Sequence, residues 1–149
     1  MTDLFLAILH HLLAFGLVAI LAAQFALVRP PLAGPQLARL ARLDAAYGAT
    51  AAALIAVGIA RLAWGARGAD YYLADPWFWA KMAAFAAIGG LSAVPTLTLV
   101  KWRKAAAADP AFAPTAEARL RVRRFVAAEL ALVPAVLVFA AAMARYGTF

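Results

Sequence analysis

Gly65-Ala-Arg-Gly-Ala-Asp-Tyr-Tyr-Leu-Ala-Asp-Pro-Trp-Phe-Trp-Ala-Lys81 is the stretch on which the fold turns. It is the one polar loop between two apolar blocks on its side of the chain, and it carries a lysine into the start of an apolar helix. An ionisable group inside a membrane-length segment is costly, so Lys81 is a candidate functional residue from the outset.

Outward from this loop, the chain reads as membrane-length blocks. Leu4 to Val28 is an uncharged apolar run of 25 residues, and Met82 to Val100 is one of 19. About 20 apolar residues span a hydrocarbon core. With 67% hydrophobic and 14% charged residues, the 149-residue chain lies far outside ordinary globular composition. The first run follows Asp3 without a basic lead and is longer than a signal-peptide core, so it reads as a retained helix. The expectation is an all-α integral membrane four-helix bundle, one transmembrane domain over residues 1–149. Its helices fall at about 3–28, 36–65, 76–103 and 115–146.

Local signals set these limits. Arg29-Pro30-Pro31 stops the first helix, and Pro35 suits the first turn of the second. Gln36 to Asp44 sets Leu37, Leu40 and Leu43 against Arg39 and Arg42, which predicts a basic lead-in lying among lipid headgroups. Trp77, Trp79 and Trp102 bracket the third helix as interfacial anchors. Within it, Gly89, Gly90 and Pro95 predict a bend, because Pro95 leaves the Leu91 carbonyl without its amide. Ala105 to Pro114 reads as a loop, and Thr115 opens the fourth helix. A faint repeat, Leu27-Val28-Arg29 against Leu99-Val100-Lys101, hints at two related hairpins.

The formal charge of +7 does not point to nucleic acid. Ten of the fourteen basic residues sit beside apolar runs in just two connections, Arg29 to Arg42 and Lys101 to Arg124, with four on the opposite side. That asymmetry predicts both termini and the Gly65–Lys81 loop outside the cytoplasm, the periplasm for a bacterial inner membrane. No cysteine is present, which excludes disulfides, thiolate metal sites and a covalent c-type haem link. No nucleophile–base set, phosphate loop or zinc spacing appears.

Polar residues within the spans fall on shared faces. Positions 14 apart are almost four helical turns apart, which pairs His10 with Gln24, Tyr47 with Arg61 and Glu129 with Met143. Lys81, Phe85, Gly89, Ser92 and Thr96 form another stripe. Depth then separates two layers. His10, His11, Arg61, Lys81, Met82 and Met143 lie toward the outer ends, and Gln24, Asp44 and Glu129 toward the inner ends.

The outer layer holds imidazoles, cations and thioethers but no acid. Asp70 and Asp75 of the loop are its only candidate protein partners. One reading makes His10 an axial ligand of a haem b or other tetrapyrrole, with Arg61 and Lys81 on the propionates. The plainer reading has Arg61 and Lys81 snorkelling to headgroups while His10 and His11 sit at the interface. Position favours headgroups for Lys81 and Arg145, leaves Arg61 open, and favours a core-facing role for His10 over His11. Copper held by His10, His11, Met82 and Met143 is a third reading, weakened by there being only three methionines in the chain.

Elsewhere the plain readings lead. Asp44 and Glu129 are expected to pair at helix ends with neighbours such as Arg42 or Arg124, a proton relay being the sharper alternative. Ser92, Thr96 and Thr98 are expected to cap carbonyls near Pro95 or to pack helices. Gly16, Gly48, Gly58 and Gly89 read as close-packing positions.

Asp44-Ala-Ala-Tyr47-Gly48, Arg61, Gly65-Ala-Arg67-Gly68-Ala-Asp-Tyr71-Tyr72, Phe78-Trp-Ala-Lys81, Ser92-Ala-Val-Pro95-Thr96 and Met143-Ala-Arg145 resemble a bacterial family of predicted four-helix membrane proteins of unknown function. The resemblance covers essentially the whole chain. That family is distantly similar to the copper-resistance D membrane proteins and to the haem-containing membrane protoporphyrinogen oxidases. The oxidases imply a first-helix histidine, matched by His10 or His11, and a lysine opening the third helix, matched by Lys81. They also imply a histidine further along that helix, where this chain reads Gly89-Gly-Leu-Ser-Ala-Val-Pro-Thr96.

The expected function is therefore a multi-pass inner-membrane protein that binds haem or another tetrapyrrole, with oxidoreductase-like activity if it is an enzyme. A non-enzymatic assembly or transport component is the alternative. Copper or proton handling ranks last, because apolar Leu17, Leu54 and Val136 lie between the two layers. The expected partners are the lipid bilayer and a small-molecule or tetrapyrrole ligand, with a homo-oligomer left open.

Overall fold

The computed structural model describes residues 2–29 and 32–147. Four long helices, α1 (Thr2–Leu27), α2 (Gly34–Trp64), α4 (Pro76–Ala108) and α5 (Ala116–Tyr146), are joined by a short α3 (Gly68–Leu73) between α2 and α4. All four are long and apolar enough to cross a membrane, and no strand occurs among the described residues. At 1.5 Å per residue they measure about 39 to 50 Å, beyond the roughly 30 Å hydrocarbon core. Their ends therefore reach the headgroup zones.

The chain runs up and down as two hairpins, α1 against α2 and α4 against α5. These join through α2–α4 and α1–α5 contacts, which leaves α2 and α5 facing across a diagonal. Caps fix the helix starts. Asp75 Oδ1 accepts from the Trp77 amide at 2.8 Å with Pro76 at the first helical position, and Thr115 Oγ1 accepts from Ala118 at 3.2 Å. The Gly65 amide closes α2 on the Arg61 carbonyl, and a Cβ at Gly65 would collide with that carbonyl. Gly68 enters α3 at φ +73°, a region that favours glycine.

Burial is uneven along the bundle. The core cluster gathers Leu17, Leu21, Val28, Leu32, Leu37, Leu40, Leu99, Trp102, Val122 and Val126, all toward the Leu27 end or mid-span. Toward the Thr2 end fewer side chains are buried, Phe78 and Asp75 among them, and Leu4, Phe5, Ile8, Leu12 and Phe15 lie on the outer surface of α1. Most of the buried core thus sits in one half.

Several sequence expectations are corrected. Gln36–Asp44 is the first part of one continuous helix, and its Leu37 and Leu40 are buried in the bundle core instead of facing headgroups. Trp102 is also a core residue at 7% exposure, not an interfacial anchor. It lies well inside α4, because the alanine run to Ala108 sustains the helix past Arg103. The second connection thus starts at Asp109, whose Oδ1 accepts from the Ala111 amide at 2.9 Å. Open space surrounds Gly16, Gly48 and Gly89, so they are not close-packing positions; only Gly58 faces a neighbour, His10. The helix stop assigned to Pro30 and Pro31 lies outside the described residues, and α1 itself ends at Leu27.

Candidate functional site

A cavity of about 200 Å³ opens in the loosely packed half, between α1, α2, α4 and α5 under α3. Helical periodicity brings its polar groups there from four separate segments. His10 comes from α1, Arg61 from the last turn of α2, Lys81 from the second turn of α4 and Met143 from the end of α5. Met82 and Tyr72 join them, and Leu54, Phe85 and Val136 close the cavity toward the core. Ile55 and Ile59 line it yet are 50% and 61% exposed, so it also reaches the lipid-facing side of α2.

The electrostatics are one-sided. No acidic residue lines the cavity. His10 Nδ1 and Arg61 Nε are both buried without a hydrogen-bond partner, and the Lys81 ammonium lies 5.2 Å from the centre of the Phe78 ring. His10 also packs on Gly58, where a Cβ would stand 3.6 Å from the imidazole. Neither loop acid forms an ion pair at this end. Asp75 Oδ1 caps α4 while its Oδ2 is buried at this end without a hydrogen-bond partner, and Asp70 is exposed on α3. Among the described residues no carboxylate forms an ion pair with Arg61 or Lys81. Two cations and an imidazole thus share an otherwise apolar space.

His11 differs from His10. It is exposed, and its Nδ1 lies 2.6 Å from the Ala7 carbonyl one turn back. The two rings meet edge to face at 6.2 Å, so His11 stands beside the cavity without lining it. Arg145 is exposed as well. Among the described residues there is no group of three or more His, Cys, Asp or Glu side chains that could hold a metal ion.

A second polar assembly lies in the closed half, where the sequence placed Gln24, Asp44 and Glu129 at one depth without indicating their partners. Gln24 Nε2 of α1 donates to Asp44 Oδ1 of α2 at 3.3 Å, and Thr96 Oγ1 of α4 donates to the same oxygen at 3.0 Å. Tyr47 of α2 donates across the diagonal to Glu129 Oε2 of α5 at 3.1 Å. All four long helices meet in this layer. The expected pairing of Asp44 with Arg42 and of Glu129 with Arg124 does not occur. Residues two or five apart lie on different sides of a helix, and both arginines are exposed. Near Pro95, Ser92 and Thr98 donate to the Gly89 and Val94 carbonyls at 2.7 Å each, while Thr96 serves Asp44.

No curated protein and no solved structure matches the chain. Residues 2–147 match the family described as "Predicted membrane protein (DUF2214)", and the chain is accordingly a multi-pass membrane protein belonging to that family.

Proposed function

We propose that the cavity binds an apolar ligand bearing an anionic group, with Arg61 and Lys81 on the anion and the apolar body against Leu54, Phe85 and Val136. The observation that carries this reading is the pair of cations lining an apolar cavity without an acid. A buried cation without a counter-charge is costly, and a carboxylate or phosphate ligand removes that cost. The exposed Ile55 and Ile59 give such a ligand a route from the bilayer. By the ten-against-four count of basic residues, this end faces the periplasm of a bacterial inner membrane.

Haem b is the narrower occupant under the same reading. The donor set suits it, since His10 and the thioethers of Met82 and Met143 share the lining with two propionate-binding cations. The space does not. At about 200 Å³ the cavity falls below the roughly 300–1,000 Å³ of sites for drug-sized ligands, and a whole macrocycle needs the helices to part. The tetrapyrrole reading rests on His10 and Lys81, the positions at which the sequence resembles membrane protoporphyrinogen oxidases, and copper has less support because only His10 and two thioethers line the cavity.

The test uses the purified protein in lipid nanodiscs. Octanoate should raise the thermal midpoint saturably while octanol, with the same apolar body and no charge, should not. Arg61→Gln combined with Lys81→Gln should abolish the octanoate effect. Equal responses to acid and alcohol would overturn the reading. A spectrum after haem-replete expression decides the narrower version: no Soret band, or one unchanged by His10→Ala with His11→Ala, removes haem.

A further inference from the structure

The polar layer of the closed half contains a carboxyl group whose surroundings the cavity does not explain. Glu129 is 1% exposed and lies on the inner face of α5 beside Val122 and Val126. Oε2 meets the Tyr47 hydroxyl at 3.1 Å, and Oε1 is buried with no partner. Asp44 is served differently, since Gln24 and Thr96 both donate to its Oδ1.

Every element around Glu129 contributes a polar group to the layer, and none contributes a cation. Gln24 comes from α1, Asp44 and Tyr47 from α2, and Thr96 from α4. On α5 itself the Arg123 guanidinium lies 4.5 Å from the Phe25 ring, and Arg121 and Arg124 are exposed. Among the described residues neither Glu129 nor Asp44 forms an ion pair. Two carboxylates thus occupy one buried layer without compensating positive charge.

We propose that Glu129 is a proton-binding site, its carboxyl carrying an exchangeable proton inside the closed half of the bundle. The chemistry follows from its oxygens. An anionic Oε1 closed off from water and without a donor loses its solvation uncompensated. With a proton on Oε2 the group is neutral, the 3.1 Å contact runs from Oε2–H to the Tyr47 oxygen, and Oε1 becomes a carbonyl oxygen that is far cheaper to leave unpaired. Tyr47 and Asp44 are three residues apart on the same side of α2, and Asp44 is the more exposed acid at 8%. Asp44 is thus the second acid of the layer, and its charge acts on the proton held by Glu129. This site is separate from the cation-lined cavity, with Leu54 and Leu17 between them.

The experiment is an infrared pH titration of the protein in nanodiscs without alkali cations, reading the carboxylic-acid C=O stretch. Wild type should show this band at neutral pH, shift it in deuterated water and lose it on alkalinisation. Glu129→Gln should remove that component, whereas Asp44→Asn should retain it with a changed midpoint. Tyr47→Phe should move the band's frequency, which gives a reading even if Glu129→Gln fails to fold. Absence of the band in wild type, its persistence in Glu129→Gln or its loss in Asp44→Asn alone would overturn the proposal. So would an unmoved band in Tyr47→Phe. A band that vanishes on adding sodium at fixed pH would do the same, by assigning the site to an alkali cation.

Discussion

The two halves of the bundle solve the problem of polar groups in a membrane in opposite ways. Toward the Leu27 end, acids meet amide and hydroxyl donors in a closed layer spanning all four long helices, with Glu129 Oε1 left unpaired. Toward the Thr2 end, cations and an imidazole line an open cavity and keep unpaired nitrogens. Tyr47 and Arg61 illustrate the split on a single helix. They share a face of α2 but stand 14 residues apart, about 21 Å along the axis. The difference teaches that burial alone does not mark a ligand site. What marks one is charge that the protein's own groups leave unbalanced in a space with room, whereas unbalanced charge in a closed layer leaves only a proton to compensate it.

The comparison breaks most easily at the packing contrast. Leu21→Ala, at a fully buried position, should lower unfolding stability by about 2–5 kcal/mol, whereas Leu12→Ala on the exposed face of α1 should change it by less than about 0.5 kcal/mol. Reversible unfolding in mixed micelles measures both. Equal losses would mean that the Thr2 half is packed as tightly as the other.

Next in size is the charge contrast. Removing either Arg61 or Lys81 should weaken octanoate binding about 10- to 100-fold, the worth of one hydrogen bond to a charged group at about 1.5–3 kcal/mol. Thr96→Val should leave that affinity unchanged, because Thr96 donates to Asp44 in the other layer.

Smaller still are the hydrogen bonds of the closed layer. Interhelical hydrogen bonds in bilayers contribute about 0.6 kcal/mol on average, so Thr96→Val should cost roughly that amount of stability. The smallest contrast is between the histidines. His10→Ala should alter ligand affinity while His11→Ala leaves it at the wild-type value, since only His10 lines the cavity.

Much of this was legible in the sequence. Uncharged runs of membrane length set two of the four long helices, shorter apolar runs with helix-start signals set the other two, and 14-residue spacing put His10, Arg61 and Met143 on faces that the bundle turns inward. The closed layer was not legible, because it depends on which helices are neighbours. Tyr47 reaches Glu129 only because α2 and α5 oppose each other across the bundle. Nothing local to Asp44 announces Gln24 or Thr96, and the local arginines that seemed natural partners lie on the wrong sides of their helices. Trp102 misled for a related reason. A tryptophan near a helix end suits either an interfacial belt or a core, and only the run of α4 to Ala108 sets it inside.

The central claim is that Arg61 and Lys81 form an anion site within an apolar cavity. Equilibrium dialysis of labelled octanoate against nanodiscs tests it most directly, comparing wild type with Arg61→Gln combined with Lys81→Gln. The account predicts saturable uptake at one site per chain in wild type and none above the empty-nanodisc background in the variant. Identical uptake by the two proteins would contradict it.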